Sequence, residues 1–213
     1  MVRIVKDPAE RRKEIIDTAG RLFLTRGYDR TTMRHVMTEL NIAKGTIYHY
    51  FKSKEDLLDA VINEVVNEEM VRQERLFRKT EGTAIERLRQ FVLASASHQE
   101  GHDELLEHLH KPANAGMHIR LLAQMVTRQA PLYAELIEMG CREGVFKTEK
   151  PLECAEFMLA GVQFLTDSGV YPWEQLELVR RWQSFPPLLE SLLKAPEGFF
   201  SFLSDLENAK VDQ

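Results

Sequence analysis

The stretch NIAKGTIYHYFKSKEDLL, residues 41–58, is basic and polar, yet it carries large apolar or aromatic side chains at positions 47, 48, 50 and 51. A solvated loop with stray aromatics would be one reading. A short helix with one face in a core and the other on a partner is the second. On a helical wheel of about 100° per residue, Ile47 and Phe51 stand one turn apart and share a face with little polar company. Gly45, Thr46 and His49 fall on another side, with Lys44 and Tyr48 next to them. That side offers a hydroxyl, an imidazole, a phenol and an ammonium, and Gly45 has no side chain to keep a backbone at a distance. Lys52 and Lys54 follow at the helix exit, where ammonium groups suit phosphate.

The flanking sequence supplies the frame. DPAERRKEIIDTAGRLFLTRG reads as a first helix, with Asp7 as N-cap, Pro8 at the first helical position and Gly27 closing it in a left-handed conformation. Ile15, Ile16, Ala19, Leu22 and Phe23 form its apolar side. TTMRHVMTELN is a short second helix, capped by Thr31 or Thr32, with Met33, Val36, Met37 and Leu40 at helical spacing. Ser53 starts a fourth helix, with Asp56 at the capping-box position. Two short helices joined by a tight turn on a longer first helix make a helix-turn-helix, whose second helix lies in the DNA major groove. Thr46, Tyr48 and His49 are then the candidates to read or line the groove. Arg34, Lys52 and Lys54 are the candidates for phosphate, and Thr32, Lys44, Gly45 and Tyr50 complete the expected surface. A small bundle with a solvated polar face has the same topology, so topology alone does not establish DNA binding.

Charge points the same way. Residues 1–54 hold twelve Lys/Arg against six Asp/Glu, a balance of +6, whereas residues 55–213 stand at −11. A basic end on an acidic body is the asymmetry of a small module that meets a polyanion. Two cysteines without a CxxC fit a reducing cytoplasm and argue against a disulfide scaffold. The apolar runs are too short for a membrane span and the N-terminus lacks a signal-peptide pattern, so a cytoplasmic location is expected.

The remaining sequence is helical in period throughout, with helices expected near 83–99, 102–111, 115–129, 131–142, 151–168 and 173–194, and a last short one near 197–207. Pro131 is placed at the start of its helix, and Pro186-Pro187 should kink or split theirs. Five of seven histidines fall in 98–118, but His108 and His110 are two apart and cannot face the same way on a helix, so no metal site is assigned. No nucleophile elbow, P-loop, dinucleotide fingerprint or zincin motif is present, which argues against an enzyme, and no cofactor is expected. Methionine, aromatic and small residues on expected buried helices suit either a core or an adaptable cavity wall. Phe91, Met117, Met125, Tyr133 and Phe164, with His98 or His118 as a polar anchor, are the candidates to line such a cavity.

From Arg11 to about Leu58 the sequence resembles the DNA-binding region of the TetR family of bacterial repressors. Ala19-Gly-Arg-Leu22-Phe23, Gly27-Tyr28, Thr31-Thr32, Gly45-Thr46, Tyr48, Tyr50-Phe51, Lys54 and Leu57 carry the resemblance in order and without gaps. Val36-Met37 replaces the family's usual Ile-Ala, Asn41 its turn glycine and Ala43 the Ser/Thr before the recognition helix, a cap worth about 1 kcal/mol. The resemblance implies an all-α chain: a three-helix helix-turn-helix domain over residues 1–54, and a larger helical ligand-binding and dimerisation domain over 55–213. It implies a homodimer on a palindromic double-stranded DNA operator, released by a small-molecule effector. It also implies that 151–168 and 173–194 pair across the dimer axis, with Ala155, Leu159, Val162, Leu176, Val179, Trp182 and Leu189 in the seam. An intramolecular core explains the same apolar pattern. A helical interaction or ligand-buffering protein whose helix-turn-helix binds no DNA is the competing function.

Overall fold

A computed structural model describes residues 7–96 and 107–204 of the chain. These residues form two compact units. The first takes the described residues up to Asn67 together with those from 107 to Leu121; the second takes Glu68 to 96 and Leu122 to 204. Among the described residues there is no strand, and no helix is long and apolar enough to cross a membrane.

In the first unit α1 spans Pro8–Arg26, and Asp7 Oδ1 accepts from the backbone N–H groups of Ala9 and Glu10 at 2.8 and 3.4 Å, the N-cap that the sequence announces. Ile15, Ile16, Ala19, Leu22 and Phe23 are its buried side. Gly27 ends it with φ 91° and ψ 139°, so the residue is not in the left-handed helical well but in a region that is essentially glycine's alone. Buried Thr31 then ties the turn back to α1, its hydroxyl donating to the carbonyl oxygens of Leu22 and Gly27. α2, Met33–Leu40, is capped by Thr32: its hydroxyl accepts from His35 N–H while His35 Nδ1 accepts from Thr32 N–H. Asn41 closes α2 in the left-handed conformation, φ 50° and ψ 48°, its N–H reaching the Met37 and Thr38 carbonyls. α3 is Lys44–Tyr50 and α4 is Lys54–Phe77. α4 runs past the expected boundary at residue 54, and its Leu57, Leu58, Val61 and Ile62 are buried. The first unit therefore reaches beyond the three-helix module read from sequence.

The second unit contains the end of α4, then α5 (Ala84–Ala96), most of α6 (Ala115–Arg142), α7 (Pro151–Thr166), α8 (Gln175–Leu193) and a 3-10 turn at Ser201–Ser204. Phe77, Leu88, Phe91, Leu136, Ile137, Trp182, Phe185, Leu193 and Phe200 belong to its core. The prolines break less than expected. α6 is one helix with Pro131 inside it, and α8 continues through Pro186 and Pro187. Pro131 is exposed and is followed by buried Ala134, Leu136 and Ile137. The apolar burial on its far side, about 25 cal/mol per Å², offsets one missing hydrogen bond and a local ring clash. At the second site Pro186 is itself buried in the α8 core face. The expected terminal helix near 197–207 is, within the described residues, the 3-10 turn.

Candidate nucleic-acid interface

α3 is seven residues long, and its two sides differ as the wheel requires. Ile47 and Phe51 are buried at 0% and 1% exposure, and the Arg12 guanidinium lies over the Phe51 ring at 5.3 Å. Lys44, Gly45, Tyr48 and His49 are exposed, as are Lys52 at the exit and Thr32 and Arg34 at the start of α2; Thr46 and Tyr50 are half-buried. A side chain built on Gly45 would meet open space, so packing within the chain does not demand glycine there. Lys44 lies over the Tyr48 ring at 5.6 Å and His49 meets Tyr50 edge to face at 5.1 Å, contacts that pre-order part of the polar face. Ala43, at the N-cap, makes no side-chain hydrogen bond, as its lack of a hydroxyl dictates. At the next helix Ser53 Oγ accepts from Asp56 N–H, while the Asp56 carboxylate accepts from Lys52 N–H, one residue earlier than a regular capping box.

Lys54 differs from the expectation. Its ammonium donates to the carbonyl oxygen of Tyr28 at 3.1 Å and sits 4.1 Å from the centre of that ring, so it is turned onto its own unit and not towards solvent. Nothing in the local period signals this partner, which is 26 residues away. Asn114 is a second residue that sequence reading missed: fully buried, it accepts from the Tyr28 N–H, 86 residues earlier, and donates to the Leu24 carbonyl at the end of α1.

The expected seam residues divide. Ala155, Leu159, Trp182 and Leu189 are packed in the second unit's own core, each less than a tenth exposed, and Val162 packs against that core. Their burial leaves them little surface for a second copy. Val179 is half-buried and Leu176 is 81% exposed. The most exposed apolar side chains of these helices are Phe157 at 70%, Leu176, and Leu188 at 61%. The expected cavity residues also divide. Phe91, Met125, Tyr133 and Phe164 belong to the second unit and Met117 and His118 to the first, whereas His98 lies outside the described residues. Phe91 is fully buried and meets Tyr133 at 5.1 Å, as part of the core. Surface hollows of about 350 Å³ beside Val71, Glu74 and Arg78, and of about 280 Å³ beside Arg26, Arg30 and Lys111, include none of these side chains. Around Tyr133 the second unit does hold a polar row. Arg72 forms two hydrogen bonds with Glu69 at 2.8 and 2.6 Å, Gln73 donates to Glu69, and Ser95 donates to Gln73. In the first unit the His110 and His118 rings lie 5.0 Å apart, with His118 buried, and His108 Nδ1 pairs with the Lys111 ammonium at 2.7 Å.

A third helix with one buried and one exposed side, behind a capped second one and set on a longer first helix, is a helix-turn-helix, an arrangement many DNA-binding proteins share. Comparison with known proteins narrows this. Residues 15–61 match the family described as bacterial regulatory proteins, tetR family, and residues 98–187 match a tetracyclin repressor-like C-terminal domain. The chain belongs to the TetR family of transcriptional regulators. The HTH-type transcriptional repressor KstR2 of Rhodococcus jostii is 26% identical over 151 residues, which is 68% of this chain and 72% of that protein. A putative TetR-family regulator from Syntrophomonas wolfei superposes with a TM-score of 0.60 at 24% identity, over 93% of this chain and 97% of its own. A TetR-family regulator from Pectobacterium atrosepticum gives 0.61 at 22%, over 90% and 100%. These two likenesses carry the fold.

Proposed function

We propose that the chain binds a palindromic duplex operator as a homodimer, represses from it, and is released when a small, largely apolar molecule binds its second unit. The observation that carries the reading is the division of α3, with Ile47 and Phe51 inside and Lys44, Tyr48, His49 and Lys52 outside. In two-fold symmetry the recognition helices would meet half-sites about one turn, roughly 34–36 Å, apart. The partner face is supported by Phe157, Leu176 and Leu188, which leave α7 and α8 with unpaired apolar surface. The effector is argued from the size of the second unit and from the polar row beside Phe91 and Tyr133, which would give an apolar ligand one oriented polar contact. Coupling of about 1–3 kcal/mol would change operator affinity roughly 5- to 150-fold.

The test is selection from a random duplex pool. An inverted repeat should be enriched; recovery of no preferred sequence would favour the competing interaction protein. With the recovered duplex, Thr46→Ala should relax preference at one base position. Lys52→Ala should weaken all sequences alike and lower the salt slope by about one.

A further inference from the structure

The backbone of Tyr28 is held at both its N–H and its carbonyl by side chains distant in sequence. Its N–H donates to Asn114 Oδ1 at 2.7 Å, and its carbonyl oxygen accepts from the Lys54 ammonium at 3.1 Å. Asn114 has 0% exposure, and its Nδ2 donates to the carbonyl oxygens of His108 at 2.9 Å and Leu24 at 3.3 Å. A buried amide with three partners is held in one orientation, because losing any of them leaves a desolvated polar group. Neighbouring contacts point the same way. Asp29 N–H reaches the Ala113 carbonyl at 3.4 Å, and Gly27 approaches so closely that a Cβ there would stand 2.5 Å from that of Ala113. Lys54 opens α4, three residues beyond Phe51, the last core anchor of α3. The exit of the recognition helix is thus moored to the Tyr28 carbonyl, and the Tyr28 N–H is moored to the segment that leads into α6.

We propose that Asn114 is a positioning residue for DNA reading: by fixing the backbone of Tyr28 it fixes Lys54, and with it the setting of α3 against α1. The inference rests on the DNA-binding reading above. A hydrogen bond weakens steeply with misalignment, and base-edge contacts tolerate displacements of only about 0.5 Å. Loss of the mooring is therefore felt in sequence-specific contacts before it is felt in phosphate contacts, which are long-ranged and sequence-independent. Segment 108–114 makes no claim on base edges in this scheme; its influence passes through the backbone of one residue, Tyr28.

The experiment uses the full chain, the duplex recovered by selection with the unmodified protein, and a scrambled duplex of the same length. Binding of Asn114→Ala, Lys54→Met and the double variant is measured by fluorescence anisotropy across a salt series, with circular dichroism melts to establish folding. Each single variant should lose roughly tenfold on the selected duplex, nothing on the scrambled one, and none of its salt slope. The double variant should lose no more than the larger single loss, because both act through the backbone of the same residue. A purely structural Asn114 would lower the melting temperature and leave the discrimination between duplexes intact, which overturns the proposal. So does a Lys54→Met variant that weakens both duplexes alike with a slope lowered by about one, the mark of a phosphate contact. If Asn114→Ala does not fold, Lys54→Met decides alone by its slope and discrimination. Enrichment of no duplex by the unmodified protein would fell the DNA-binding reading and this inference with it; enrichment with both variants discriminating normally would fell the inference only.

Discussion

Gly27 is where one missing methyl group decides a turn. Its φ of 91° with ψ 139° lies where L side chains do not go, and its missing Cβ makes room for Ala113. Gly27→Ala should cost about 2 kcal/mol or more by denaturant unfolding, from strain and contact together. Ala113→Gly in the same chain should restore only the contact part. Full rescue would mean that the backbone conformation carries no penalty. Sequence reading found this glycine but assigned it the left-handed well. The difference comes from the 108–114 segment, whose approach no local pattern encodes. Asn114 was invisible for the same reason: an asparagine in a polar stretch gains meaning only from partners at Leu24 and Tyr28.

Tyr133 gives a prediction in pH. Burial pushes its phenol up to about 12, against the opposing pull of the Arg72 charge and a hydrogen bond with Ser95. The folded state thus disfavours the phenolate, while the unfolded chain ionises near the ordinary value of 10.0. The stability that this contributes is whole below pH 10 and is lost as pH rises from there towards 12. Tyr133→Phe should flatten the fall of the urea midpoint with pH across that window. Parallel curves for the two proteins would show that the phenol is no more buried folded than unfolded.

At the scale of the element, α3 has little of its own to hold it. It has seven residues and no side-chain cap at Ala43. Below about three turns a helix depends on its neighbours for stability, and here Ile47 and Phe51 provide that hold. Ala43→Ser should add about 1 kcal/mol, read as slower amide exchange within α3 and a raised melting temperature; no change would mean that the exposed serine prefers solvent to the helix amides. The two faces of α3, the caps at Asp7 and Thr32 and the stop at Asn41 were legible because each is a local matter of period or cap chemistry. The continuity of α6 through Pro131 was not. An interior proline is unfavourable locally, and what outweighs it is burial on both sides of the residue.

For the whole molecule, the proposed homodimer needs apolar side chains that face outward from the protomer. α7 is apolar around most of its circumference, so period alone could not separate an inward stripe from an outward one. The burial of Leu159 and the 70% exposure of Phe157 separate them. Leu159→Glu should unfold the protomer, since a lone charge in its core costs several kcal/mol. Phe157→Glu should give a folded monomer by sedimentation and circular dichroism. A Phe157→Glu protein that remains a dimer would place the seam elsewhere.

The first unit is assembled from two separate lengths of chain, residues 7 to 67 and 107 to 121. Modular engineering would cut such a regulator after its recognition helix and transplant the front piece onto a different sensor. A graft made here at residue 54 or 67 leaves behind Asn114, and with it the side chain that accepts from the Tyr28 N–H. Such a chimera should melt early and discriminate poorly between duplexes. One that also carries 107–121 across should regain both properties. The portable part of this protein is then not a prefix of the sequence but a discontinuous set of residues.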